Sequence, residues 1–346
     1  ESPSGILVWA ASSYSGAEVA AAVEARFPGV PSVGGTAAST LCSQSGFLMD
    51  GVVIAALTSV EVSVGVGRDL SQDAADSVEL AVSAASGGVA SPRLCVLSSA
   101  AFSCDLSELA LVTQRAVGEG CLVVGGPTAD QRTDILEQKR TQQSACGEVL
   151  EDSVCVMLLG GDFMMSSSYG SGWRPIGAEA VVTKADGLAV HQLNGRPILD
   201  VIEGVWDADS IGVLGHFPLQ VSHPSGDFLR AVLRLNPKDR SAVFAAPIPE
   251  GSRVRITDAL PGGILEGARD SAREALRRYS GSSPGGALVF SCASRKWLLG
   301  TRIEMEAEEV RRELGDIPFV GFYTFGEYVG PNLHNQTIHT VVLGQS

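Results

Sequence analysis

Apolar residues along this chain gather in short runs, and amphipathic segments of helical period separate them. Residues 6–9 (ILVW), 94–97 (LCVL) and 287–290 (ALVF) are nearly uninterrupted apolar stretches, the signature of a strand buried on both faces. Behind each comes a helical segment, then a second apolar run that ends in a glycine turn carrying a threonine. The turns read Val33-Gly34-Gly35-Thr36-Ala37, Val124-Gly125-Gly126-Pro127-Thr128-Ala129, and Val320-Gly321-Phe322-Tyr323-Thr324-Phe325-Gly326-Glu327. Strand, helix, strand and turn thus recur three times. Such repetition implies duplicated structural units, and ligands of α/β sheets gather outside the carboxyl ends of strands.

The remaining pattern fills in the elements. Val19, Val23 and Phe27 form one stripe of a helix over 15–27, and a second helix over 71–85 takes Ser71 as its cap. Asp105 and Glu108 form a capping box for a third helix. Residues 51–57, 60–66, 121–124 and 153–159 read as strands, whereas 127–147 reads as a long polar excursion, a kind of loop that is usually functional. Asp186-Gly187 supplies the positive φ angles of a tight hairpin between 180–185 and 188–193. Strands are expected near 228–235, 253–257, 286–291, 317–323 and 337–343. Helices are expected over 264–279 and 302–314, the latter closed by Gly315. The expected fold class is α/β: two related domains, 1–190 and 191–346, built from strand–helix–strand units with mixed sheets flanked by helices.

Composition narrows the function classes. Of 346 residues, 45% are hydrophobic and only 18% charged, which describes a chain with a large core. A formal net charge of -14 opposes binding to nucleic acid or to an anionic membrane. No run reaches the eighteen or so apolar residues of a membrane span, and no signal-like segment opens the chain. Seven cysteines (42, 95, 104, 121, 146, 155 and 292) are odd in number and contain no Cys-x-x-Cys, which fits a reducing compartment better than a disulfide scaffold. A soluble, acidic, cytoplasmic protein is expected.

The most specific signal lies near the end: Phe290-Ser291-Cys292-x-x-Arg295, a glutamate-rich helix, Pro318-x-Val320-Gly321-Phe322-Tyr323-Thr324-x-Gly326-Glu327, then His334-Asn335-Gln336-Thr337. Upstream stand Gly172-Trp173-Arg174-Pro175-Ile176-Gly177, Leu193-Asn194-Gly195-Arg196-Pro197 and Asn236-Pro237. This pattern resembles the FIST domain family, a sensory module of bacterial signalling proteins that also occurs in eukaryotic F-box proteins. The resemblance implies a non-catalytic sensor of a small polar ligand, such as an amino acid. It would signal to a separate protein: a histidine kinase, a cyclase or a ubiquitin-ligase component. Its F-box relatives imply an alternative, a protein-recruiting module. No cofactor is expected. Some bacterial relatives resemble haem-based nitric oxide sensors, and His216 and His223 are the candidate axial ligands for a non-covalent haem.

Physical chemistry assigns roles within the last motif. Arg295 offers a planar fork for a carboxylate and Glu327 an acceptor for an amine. Gly321 and Gly326 allow close backbone approach beside Tyr323 and Thr324, with Cys292 and Asn335 near the same strand ends. Gly34, Gly35 and Thr36, and Gly125, Gly126 and Thr128, are the corresponding candidates in the earlier turns. The alternative is that Arg295 and Glu327 pair with each other and the glycines only make turns. A thiol nucleophile at Cys292, with His334 or His339 as base, is the enzymatic alternative. No Walker or dinucleotide fingerprint is present.

Overall fold

Strand and helix signals resolve into three copies of one unit. The computed structural model describes residues 2–131, 141–205, 218–223 and 226–346. The first copy runs β1 (Gly5–Ala11), α1 (Gly16–Arg26), β2 (Ser32–Ala37), a hairpin of β3 (Thr40–Cys42) and β4 (Gly46–Leu48), then β5 (Val52–Leu57). The second prefixes β6 (Glu61–Gly67) and α2 (Ala74–Ser86). It then repeats the order with β7 (Leu94–Ser99), α3 (Leu106–Val117), β8 (Leu122–Pro127), hairpin β9 (Gln143–Ala145) and β10 (Glu148–Leu150), and β11 (Val154–Gly160). The third opens with β12 (Met164–Gly170).

An insertion follows β12: β13 (Arg174–Asp186), β14 (Ala189–Leu193), β15 (Arg196–Pro197), α4 (Ile198–Glu203), β16 (Leu219–Val221), β17 (Phe228–Arg230), β18 (Val232–Asn236), β19 (Ser241–Phe244) and β20 (Arg253–Asp258). These strands form their own antiparallel sheet over a core that includes Val182, Val190, Ile198, Phe244 and Val254. The third copy then resumes with α5 (Pro261–Arg278), β21 (Ser283–Cys292), α6 (Ala293–Leu299), α7 (Glu304–Leu314), β22 (Phe319–Thr324), hairpin β23 (Glu327–Val329) and β24 (Asn332–His334), and β25 (Ile338–Gln345).

In every copy the two strands flanking the helix are parallel, and the last strand returns antiparallel to the first: β5 on β1, β11 on β7, β25 on β21. The hairpins are exchanged in a cycle. β3–β4 of the first copy adds to β22 of the third, β23–β24 of the third to β8 of the second, and β9–β10 of the second to β2 of the first. Glycine at the start of each turn has a steric cause. A Cβ on Gly34, Gly125 or Gly321 would lie 1.6, 2.2 or 1.9 Å from the carbonyl oxygen of Val8, Leu97 or Val289 on the neighbouring parallel strand. The inner sheet faces share one core, where Trp9 stacks on Phe322 at 4.7 Å and Phe290 meets both rings edge-on.

The fold is α/β with mixed sheets flanked by helices, as expected. Strands from both sides of residue 190 pair in three of the four sheets, and that residue itself lies in the β13–β14 hairpin. Local details differ from the sequence reading. Asp73, not Ser71, caps α2, because Ser71 instead donates to Asp152 at 2.6 Å. The polar stretch 127–147 contains β9, with residues 132–140 outside the described part.

Candidate functional site

The three glycine turns meet. Ala129 N donates to Thr36 O at 2.9 Å, Thr324 Oγ1 to Pro127 O at 2.5 Å, and Ala38 N to Tyr323 O at 3.0 Å, so each turn touches the other two. A Cβ on Gly35 would lie 2.5 Å from Thr128 Cγ2, and one on Gly126 would lie 2.4 Å from Thr324 Oγ1. Thr36 Oγ1 accepts from Gln142 N at 3.0 Å, and Thr128 Oγ1 accepts from Gln143 Nε2 at 2.8 Å. These residues interlock the copies and spend their polar atoms on one another.

The residues expected to form a pocket in the third copy come together, but as a sealed network. Arg295, on α6, is fully buried and pairs with Glu306 of α7 at 2.8 Å. Its remaining donors reach Ser171 O at 2.6 Å, Ile264 O at 2.8 Å and Gln336 O at 3.3 Å. Glu306 also accepts from Ser291 Oγ and from the Tyr323 hydroxyl, both at 2.8 Å. Burial, then the Glu306 charge, pushes the Tyr323 phenol well up. The fork of Arg295 is therefore committed, and its partner is neither a ligand nor Glu327.

Glu327 accepts from Thr337 N and Thr337 Oγ1, and burial drives its carboxyl well above the ordinary range. Asn335 Oδ1 accepts from Ala231 N of the insertion at 3.5 Å. Cys292 Sγ lies 3.0 Å from Ser294 Oγ, and burial pushes its thiol up to about 12, the opposite of what a nucleophile requires. His334 and His339 are buried and pushed down to about 4 and about 3, first by desolvation. His223 lies beside Phe228, ring centroids 5.7 Å apart, while His216 is outside the described residues.

At the equivalent strand ends of the first copy Ser13 and Asp50 are exposed, whereas Ser39, Asp130 and Lys296 are buried. Ser13 Oγ donates to Asp50 Oδ1 at 2.7 Å, in the place where Ser294 donates to Gln336 Oε1 at 2.8 Å in the third copy. Gln131 Nε2 also donates to Asp50 Oδ1, at 2.9 Å, and Ser12 Oγ to Asp130 Oδ1 at 3.0 Å. Asp50 is exposed, and the amide of Gln131 followed by the Ser13 hydroxyl holds its carboxyl below the usual value. From α6 of the third copy, Lys296 Nζ reaches Ser39 Oγ and Ala38 O, each at 2.8 Å. Burial pushes this ammonium down to about 8 against the opposing pull of Asp50. Hydroxyls, an amide, carboxylates and an amine of lowered basicity thus converge from all three copies. Sequence reasoning passed over Ser39, Asp130 and Lys296. Their one signal was position, since Ser39 and Asp130 follow their glycine turns and Lys296 follows Arg295.

Sequence comparison finds relatives and matching family models. An uncharacterized protein of Mycobacterium bovis is 29% identical over 182 residues, covering 49% of this chain and 46% of the relative. An uncharacterized protein of Mycobacterium tuberculosis is 29% identical over 191 residues, covering 50% and 48% respectively. The matched stretch spans about half the length of these curated relatives. The family model of the FIST N domain matches residues 5–196, and that of the FIST C domain matches residues 198–330. The chain belongs to the FIST family, whose domains are sensory modules of signal transduction.

Proposed function

We propose that this chain senses a small zwitterionic ligand, of the size and charge of an amino acid, at the strand ends of the first copy. It binds without catalysis and signals to a separate protein in the cytoplasm. The observation that carries this reading is the convergence of Lys296, Asp50 and Gln131 at one end of the sheets, each from a different copy. A ligand carboxylate would face the Lys296 ammonium, and a ligand amine would face Asp50. Because the three groups belong to different copies, a bridging ligand favours one relative placement of those copies over others. It shifts the equilibrium only by its differential affinity for the two arrangements. The raised thiol of Cys292 supports binding rather than covalent chemistry.

A thermal-shift screen of amino acids and related zwitterions tests this. Ligand at 100 times its dissociation constant should stabilise the fold by about 2.7 kcal/mol. Lys296→Met and Asp50→Asn should each remove that shift while the unliganded protein stays folded. A shift that survives both substitutions, or a flat screen, sinks the assignment.

A further inference from the structure

Met49 is 48% exposed in the turn between β4 and β5, and it precedes Asp50. Its position is nonetheless fixed. The Met49 carbonyl accepts from Gln131 Nε2 at 2.7 Å, the same amide that donates to Asp50 Oδ1. With the backbone held there, Met49 Sδ lies 3.7 Å from Ser39 Oγ. Ser39 Oγ in turn accepts from Lys296 Nζ at 2.8 Å. A single hydroxyl therefore separates a solvent-facing thioether from a buried ammonium.

A thioether is a weak acceptor, so in this state the sulfur takes little from the Ser39 hydroxyl. Oxidation changes that. The sulfur lone pair attacks one oxygen of hydrogen peroxide, the O–O bond breaks, and sulfur gives up two electrons. The transferred oxygen passes its proton to the departing hydroxide, which leaves as water, and the product is a polar sulfoxide. Its oxygen lies one bond from the sulfur and so falls within hydrogen-bond reach of Ser39 Oγ. Ser39 can donate to it and still accept from Lys296, because a hydroxyl has one donor and two lone pairs. Bonds chained in this way polarise one another, in the direction that favours the charged amine. Lys296 otherwise donates to the neutral oxygens of Ala38 and Ser39, and Asp50 is the charged group that bears on it among the described residues.

We propose that Met49 is a reversible oxidation site, and that its sulfoxide tightens the Ser39–Lys296 hydrogen bond and holds Lys296 as an ammonium. The reagent is a hydroperoxide, and the reverse step is thiol-dependent reduction by methionine sulfoxide reductases. As regulation of the site proposed above it rests on that reading: the oxidised protein presents its ammonium to a ligand carboxylate over a wider range of pH. Other methionines lack one requirement or the other. Met157 is fully buried, and Met305 is 41% exposed on α7 but has no part in this hydrogen-bond network.

The test follows the amine itself. The chain has four lysines, so protein carrying lysine labelled with carbon-13 at Cε gives four signals. Replacing Lys139, Lys184 and Lys238 with arginine one at a time assigns them. After hydrogen peroxide, peptide mass mapping should find one added oxygen on Met49. The Lys296 titration midpoint should then rise by about half a pH unit or more, with the other three unmoved. Methionine sulfoxide reductases A and B should restore it, and Met49→Leu should show no rise although Met305 is still oxidised. Four results overturn the proposal: Met49 unmodified while Met305 gains oxygen, an unmoved Lys296 midpoint once Met49 is oxidised, the same rise in Met49→Leu, or a rise that persists after Met49 is reduced. No ligand enters these measurements. A flat amino-acid screen therefore leaves their outcome intact, and their failure leaves the zwitterion assignment standing.

Discussion

The strand ends of the first and third copies are built alike and behave differently. Both carry a serine just beyond the opening strand that donates to a polar side chain ahead of the returning strand: Ser13 to Asp50, Ser294 to Gln336. The third holds the richer chemistry, with Arg295, Glu306, Tyr323, Cys292 and Glu327, but the insertion and α5 cover it. Arg230 of the insertion reaches Leu333 O at 2.9 Å, and Arg295 is spent on backbone carbonyls and Glu306. The first has modest chemistry and an exposed carboxylate. Both ends bond their polar groups internally, and what separates them is that Asp50 of the first keeps a face toward solvent while Arg295 and Glu327 of the third do not.

The largest expected effect comes from breaking the sealed end. Glu306→Ala leaves the Arg295 guanidinium buried without its counter-charge, a change that typically costs about 3–5 kcal/mol. Urea denaturation should show that loss. A stability near that of the unsubstituted protein would mean that the third end is comparable to the first.

Acidification probes the same contrast. His334 and His339 stay neutral in the fold down to about 4 and about 3, whereas in the unfolded chain they protonate near 6.5. The unfolded state therefore takes up more protons between those values, so the stability these groups contribute is full above 6.5 and is lost as pH falls toward 4. For His334 alone the loss is about 3 kcal/mol at about 1.4 kcal/mol per pKa unit. Replacing both histidines with glutamine should flatten the denaturation midpoint over this range, and an unchanged slope would contradict their burial in neutral form.

The smallest stability effect should come from the first end. Lys296→Met removes a buried ammonium, its pKa lowered to about 8, and leaves Ala38 O and Ser39 Oγ without that donor, which should cost about 1–3 kcal/mol at pH 7. A second consequence should appear in ligand response. Affinity for a carboxylate-bearing ligand should fall as pH rises through 8 and the ammonium is lost. Calorimetry at pH 7 and pH 9 measures this, and equal affinities would remove Lys296 from the site.

Much of the fold was legible because its determinants are local. Apolar runs, helix stripes and the glycine turns marked the strand–helix–strand units, and each turn's first glycine answers to the parallel strand next to it. The Arg295–Glu306 pair was not legible. Glu306 stands in a helix with Glu304, Glu308, Glu309 and Glu313, and only the direction of the side chain separates it from them. The residues of the first end are single polar positions in three distant segments, with no spacing between them to detect.

By itself the sequence determined the repeated unit, the places where glycine is obligatory and the family to which the chain belongs. Those depend on period, backbone sterics and motif, all of which are written within a few tens of residues. Only the tertiary structure decided that the hairpins are exchanged between copies, and that the third strand end is covered while the first leaves Asp50 exposed. Each of these depends on which surfaces meet across more than a hundred residues of chain. Burial, which converts the same side chains from ligand contacts into internal bonds, is a property of that meeting.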